Sequence, residues 1–180
     1  VGNRSDRVPY CRVRRLPPER GCKNRWSRLP FRAGCLIFAN MYLVADSGAT
    51  KCEWALVTGS GVQRLRTRGL NPAVQDAAYM RRVLASELAT DAAPRAVWFY
   101  GAGCSARFPE ATTLMRTLLA ARFPSAHIGV ESDLLGAARA LFADGEGIAC
   151  ILGTGSNSGW YDGRGIVRNV PPLGYMLGDE

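Results

Sequence analysis

An α/β layer fold is predicted by three features of the chain. Residues 41–68 carry short apolar runs separated by glycine turns, the pattern of an antiparallel meander. Residues 72–142 then alternate helical spacing with continuous apolar runs, which predicts helices packed on parallel strands. The 180 residues are 47% hydrophobic and 21% charged, a globular balance and enough length for one substantial core.

The elements follow in order. Met41-Tyr42-Leu43-Val44-Ala45 reads as a buried strand, and Cys52-Glu53-Trp54-Ala55-Leu56-Val57 as its hairpin partner across the turn at Gly48. Residues 62–68 alternate with a basic, solvated face and form a third strand. Gly69-Leu70-Asn71-Pro72 stops the meander, and Pro72 is expected near the first turn of a helix carrying Ala77, Met80, Val83, Leu84 and Leu88. Ala96-Val97-Trp98-Phe99-Tyr100 is a central parallel strand that feeds Gly101-Ala102-Gly103. A helix over 109–123, a strand over 127–130 and a helix over 134–142 follow. Residues 147–152 are one more buried strand, and 158–161 pair with 166–167 across Asp162-Gly163. In such folds functional loops gather at the carboxyl ends of the strands.

The net charge of +8 suggests nucleic-acid binding until it is located. Residues 1–40 hold ten Lys and Arg against two acids, and residues 41–180 hold thirteen against thirteen. The basic leader has several prolines and no sustained apolar period, so it reads as disordered. A transit segment, a nucleic-acid arm and a signal core over 33–45 are weighed against translation starting at Met41, directly before a clean strand; the last is favoured. Six cysteines without a Cys-x-x-Cys pair, and a single histidine, support neither a zinc site nor a disulfide framework; reduced thiols in the cytoplasm are expected. No apolar run is long enough to span a bilayer.

Two loops of glycine and small hydroxyl residues stand out: Asp46-Ser47-Gly48-Ala49-Thr50-Lys51 and Gly153-Thr154-Gly155-Ser156-Asn157. Exposed N–H groups and hydroxyls suit phosphate or sugar oxygens, although a plain turn accounts for either loop alone. Phosphoryl transfer needs a metal-binding carboxylate, donors around the phosphates and a base beside the attacking hydroxyl. Asp46 can hold Mg2+, Ser47, Thr50 and Lys51 can meet phosphate oxygens, and Asp133, at a strand-to-helix junction, can accept a proton. Plainer roles stay open: Asp46 as a turn cap, Lys51 as a solvated strand residue, Asp133 as a helix N-cap and Asn71 as an ordering group before Pro72. Neither loop has the Gly-x-x-x-x-Gly-Lys-Ser/Thr spacing of a Walker P-loop.

With Gly69-Leu70-Asn71-Pro72, Glu131-Ser132-Asp133 and Gly178-Asp179-Glu180, these motifs make residues 41–180 resemble the N-acetylglucosamine kinase family. That family lies among the BadF/BadG-type ATPases of the sugar kinase, Hsp70 and actin superfamily. The resemblance implies ribonuclease-H-like (actin-like ATPase) lobes closing over ATP and Mg2+, with a complete first lobe over 41–143 and a second only begun over 144–180. It implies Asp46, Ser47, Gly48, Thr50 and Lys51 as the first phosphate loop, with Asp46 toward the metal, and Gly153, Thr154, Gly155 and Ser156 as the second. Asp133 would be the general base for the sugar 6-hydroxyl, with Asn71, Gly103, Thr154, Gly155, Asn157 and Asp179 near the sugar.

The chain departs from the family at Ser47, often glycine, and at Pro172 and Leu173, where some relatives have glycine and tryptophan. These departures bear on the sugar more than on phosphotransfer. The implied partners are an amino sugar and ATP in the cytoplasm, without nucleic acid or membrane, and homodimerisation is left open. The family's adenosine-binding motif would lie beyond Glu180, so the 180 residues alone are expected to be poorly soluble and inactive. Two other functions stay open: an ATPase driving a partner, like the activators of 2-hydroxyacyl-CoA dehydratases, and an inactive phosphate binder.

Overall fold

Alternation along the first strand determines how the rest of the chain packs. Side chains of successive strand residues point to opposite faces, and Leu43, Ala45 and Ser47 are all fully buried on one of them. Asp46 faces the other way. The computed structural model describes residues 41–153 and 155–170. The leader, Thr154 and residues 171–180, including Asp179, lie outside the described residues.

Strands β1 (Tyr42–Ser47), β2 (Lys51–Thr58) and β3 (Gly61–Arg68) form the antiparallel meander. After α1 (Ala77–Ser86) comes β4 (Ala96–Gly101), parallel to β1, and after α2 (Pro109–Arg122) comes β5 (His127–Ser132), parallel to β4. The sheet order is β3-β2-β1-β4-β5. The expected strands are all present, with ends shifted by up to three residues.

One face of this sheet carries α1 and α2. Leu43, Ala45, Trp54, Val97 and Phe99 share a core with Met80, Val83 and Leu84 of α1 and Met115, Leu118 and Leu119 of α2. Trp54 and Phe99 meet with ring centroids 6.0 Å apart, and the Trp54 indole N–H donates to the Thr67 hydroxyl at 3.1 Å, so the one polar atom of this aromatic pair is satisfied.

Helix α3 (Asp133–Phe142) follows β5 directly. It meets the opposite face, where Arg139 donates to the Tyr100 hydroxyl at 3.1 Å. Its apolar residues Leu134, Leu135 and Ala138 form a second, smaller core with Ala149 and Tyr161. Those two belong to β6 (Gly147–Leu152) and β7 (Ser156–Tyr161), which with β8 (Ile166–Val170) make an antiparallel sheet in the order β6-β7-β8. The far side of that sheet exposes Ile148 at 68%, Leu152 at 82% and Val170 at 66%.

Two boundaries differ from the sequence reading. Helix α1 does not begin near Pro72: Asp76 is its N-cap, accepting from the Tyr79 N–H at 2.7 Å. Residues 69–75 are therefore a separate loop between β3 and α1. The turn between β7 and β8 is also wider than Asp162-Gly163, because the Asp162 carboxylate accepts from the N–H groups of both Arg164 and Gly165 at 2.9 Å. Among the described residues no helix is long and apolar enough to cross a membrane.

Candidate active site

The carboxyl ends of β1, β4 and β5 finish level with one another. Ser47 lies opposite Gly101, and Gly101 lies opposite Ser132. Asp133 is thus two strand spacings from the end of β1, about 10 Å of backbone, and Asp46 projects on the face that carries α3.

Asp133 is the first residue of α3, and the helix is capped by Ser132, whose hydroxyl accepts from the Leu135 N–H at 3.2 Å. The capping role open to Asp133 in the sequence is therefore taken by its neighbour. Asp133 itself accepts from the Leu134 N–H at 2.8 Å. Its pKa is raised above the usual carboxylate value, first by burial and further by the charge of Asp46, against a partial offset from that N–H. Asp46 is exposed by area, yet protein crowding around its carboxyl raises its pKa as well; Lys51 opposes that shift and Glu53 adds to it. Two partly desolvated carboxylates, with the charge of Asp46 adding to the shift at Asp133, make an electrostatically costly arrangement of the kind found at functional sites.

The loop after β1 is fastened from several directions. The Gly48 N–H closes it on the Lys51 carbonyl at 3.0 Å, and the Ala102 N–H donates to the Ser47 carbonyl at 2.9 Å. The Gly69 N–H donates to the Thr50 carbonyl at 3.0 Å. Gly69 must be glycine here, because a Cβ would stand 2.5 Å from the Gly48 oxygen and 2.6 Å from the Ala49 carbonyl. Ser47, expected to offer its hydroxyl to phosphate, engages it elsewhere: Oγ accepts from the Leu70 N–H at 2.9 Å and donates to the Leu70 carbonyl at 3.1 Å. Fully buried, Ser47 ties the loop after β1 to the loop after β3. Lys51 is exposed and pairs with Glu53 at 3.6 Å, alongside Arg66 at 3.5 Å from the same oxygen.

Asn71 and Gly103 also come together. Gly103 has φ +79°, and a Cβ on it would lie 2.2 Å from Asn71 Oδ1. That oxygen accepts from the Ala73 N–H at 3.0 Å, an Asx turn that accounts for the break before α1. Gln75, which the sequence reading passed over, accepts from the Asn71 N–H at 2.9 Å and donates to the Gly69 carbonyl at 3.2 Å. Its signal was an amide four residues after Asn71. Beneath these loops Cys52 and Cys104 are buried, and both thiols are pushed up to about 12, mainly by burial. Asp46 adds to the shift at Cys52 and Asp133 to that at Cys104.

Gly153, Gly155, Ser156 and Asn157 belong to the other sheet. The Gly153 N–H bonds the Gly155 carbonyl at 3.1 Å, and Ser156 and Asn157 already lie in β7, paired with Leu152 and Ile151. The Asn157 amide oxygen accepts from Asn169 at 2.7 Å. This hairpin is linked to Asp133 through α3, which packs on β6 and β7.

No protein-family model and no curated protein matches the chain, but solved structures do. A Porphyromonas gingivalis protein, assigned by inference as an N-acetylglucosamine kinase, is 46% identical and superposes with a TM-score of 0.71 over 78% of this chain and 51% of its own. A Chromobacterium violaceum protein, also assigned by inference as an N-acetylglucosamine kinase, is 20% identical with a TM-score of 0.53 over 78% of this chain and 52% of its own, a likeness of fold alone. The chain spans about half the length of each.

The five-stranded sheet with its order β3-β2-β1-β4-β5 and crossing helices is a ribonuclease-H-like lobe, the building block of actin-like ATPases. Within that class the chain is similar to the N-acetylglucosamine kinases, sharing 46% identity with the Porphyromonas gingivalis protein over about half of that protein's length.

Proposed function

We propose that the protein carrying this sequence is an ATP-dependent sugar kinase that phosphorylates the 6-hydroxyl of N-acetylglucosamine or a related amino sugar. The observation that carries the reading is Asp133: relieved of capping by Ser132, desolvated, and within the electrostatic reach of Asp46. A base that takes a proton from a sugar hydroxyl must be desolvated enough to hold it and open enough to reach it. The likeness to the Porphyromonas gingivalis protein supports the same class of substrate.

Asp46 fits Mg2+ as a single carboxylate beside nucleotide phosphates, the usual way that ion is held. Among the described residues no cluster of three metal-ligating side chains occurs, so Asp46 would hold the ion as a lone protein carboxylate, with phosphate oxygens as its other partners. Bound there, Mg2+ would offset charge on the phosphates. The N–H groups of Ala49, Thr50 and Gly155 suit phosphate oxygens, while Asn71 and Gly103, with Thr154, Gly155, Asn157 and Asp179, are assigned to the sugar. As the bond from the sugar oxygen to the γ-phosphorus forms and the bond to the leaving ADP oxygen breaks, Asp133 receives the hydroxyl proton.

The test is ATP-dependent phosphorylation of N-acetylglucosamine by the full-length protein. Asp133→Ala should lower kcat by about 10²- to 10⁴-fold; an unchanged rate overturns the assignment of the base.

A further inference from the structure

We infer that Gln75 is a positioning residue for substrate recognition: its side-chain amide clamps both ends of the 69–71 segment and so fixes the carboxamide of Asn71. This rests on the kinase reading, which assigns Asn71 to the sugar. The two bonds of Gln75 are complementary. Oε1 accepts from the Asn71 N–H at 2.9 Å, and Nε2 donates to the Gly69 carbonyl at 3.2 Å. At neutral pH the amide offers both an acceptor and a donor at that separation, which an ionised carboxylate of the same length does not. A carboxylate would place an acceptor against a carbonyl, and alanine would leave both backbone groups without their partner.

The clamp matters because of what it holds. The Asn71 carbonyl closes the turn by accepting from the Val74 and Gln75 N–H groups at 3.2 and 3.0 Å. Asn71 Oδ1 accepts from the Ala73 N–H at 3.0 Å, which leaves Nδ2, a donor, as the part of the side chain not used in the turn. The bare face of Gly103 lies directly against that Oδ1. Asn71 is thus oriented from three sides: Ala73 fixes which end of its amide turns inward, Gly103 gives it room, and Gln75 sets the backbone from which it springs. A group held this way selects an acceptor oxygen on the substrate at one position, since binding carries little further ordering cost. Gly69 also bonds Thr50, so a slack 69–71 segment would loosen the sugar side before the phosphate side.

The experiment uses the full-length protein with N-acetylglucosamine and ATP. Gln75→Ala should raise the sugar KM about tenfold, with the ATP KM within about twofold and kcat within about threefold. Gln75→Glu should be impaired at neutral pH and recover toward wild type as the pH falls and the carboxyl regains a donor, a rescue that general loss of structure would not give. Amide hydrogen exchange supplies a readout independent of turnover: in Gln75→Ala the Asn71 N–H should exchange about tenfold faster while β1 and β4 keep their protection. An active wild type whose sugar KM ignores Gln75→Ala overturns the inference, as does unchanged exchange at Asn71. Absence of amino-sugar phosphorylation by wild type, with exchange at Asn71 still accelerated in Gln75→Ala, overturns the kinase reading instead.

Discussion

The 48–50 turn and the 153–155 turn are close in composition, but the protein holds them in opposite ways. The first is bonded to Gly69, to Ala102 and, through the Ser47 hydroxyl, to both polar groups of the Leu70 backbone. Gly69 is pressed so tightly against it that no side chain fits. The second closes on itself through Gly153 and Gly155, and a Cβ at Gly153 would find its nearest neighbour, that same Gly155 oxygen, at 4.0 Å. Glycine thus does different work in the two loops: close packing of backbone on backbone in one, and a turn with open space beside Gly153 in the other. Preorganisation in this protein is concentrated where β1, β3 and β4 end.

The electrostatic cost sits on the same fixed side, so the largest expected effect is there. Asp133→Asn should lower kcat by about 10²- to 10⁴-fold and, at the same time, stabilise the fold at neutral pH. The sign follows from the raised pKa. Between the ordinary value of 3.8 and the higher folded value, the native state binds more protons than the unfolded one. Stability therefore falls as pH rises through that window and stays lower above it. Removing the charge should raise Tm near pH 7 and flatten the slope between pH 3.8 and neutrality, both readable by thermal melts across pH. A lower Tm for Asp133→Asn would mean that the carboxylate is a structural asset, and the fixed side would then not be carrying a functional cost.

Next in size is Gly69→Ala. Its Cβ meets backbone atoms at 2.5 and 2.6 Å that cannot rotate away, so about 3 kcal/mol of stability should be lost, near the top of the range for overpacking. Chemical denaturation checks it. A loss below about 0.5 kcal/mol would show that the 48–50 turn yields easily and would erase the contrast with the second loop.

Much of this region was legible in the sequence, and what was not has a common cause. The strands were found because apolar alternation is local, and Asp46, Asn71 and Asp133 stand out because they lie at or after strand ends, whereas Gly103 came from the family resemblance alone. The start of α1 was misplaced because Pro72 satisfies the rule for a first helical turn, while the competing Asx turn of Asn71 and the cap at Asp76 are hydrogen bonds that only coordinates reveal. Ser47 was read as a phosphate ligand because its loop resembles one. Its partner, Leu70, lies 23 residues away, a pairing that follows from β1 and β3 flanking β2. Gln75 was missed although its partners lie only four and six residues away, because an amide that clamps backbone groups leaves no periodicity in the sequence.

Ser47→Ala separates these two views of the first loop. As a tie, its loss leaves the Leu70 N–H and carbonyl, fully buried, without a partner, and about 1–2 kcal/mol of stability should go. The ATP KM should stay within about twofold. If stability held and the ATP KM rose, the hydroxyl would be a phosphate ligand that reorients when nucleotide binds.

The smallest expected change in stability is at Gly153→Ala. Its backbone is outside the positive-φ region and an added methyl would touch only the Gly155 oxygen at van der Waals distance, so the denaturation midpoint should correspond to a change within about 0.5 kcal/mol. The kinase reading gives this variant a second signature. If nucleotide phosphate approaches the bare backbone of this turn, the methyl should raise the ATP KM several-fold while the fold stands unchanged. Stability lost at Gly153 would mean that the second loop is packed like the first, and stability and ATP affinity both unchanged would remove 153–155 from the phosphate site.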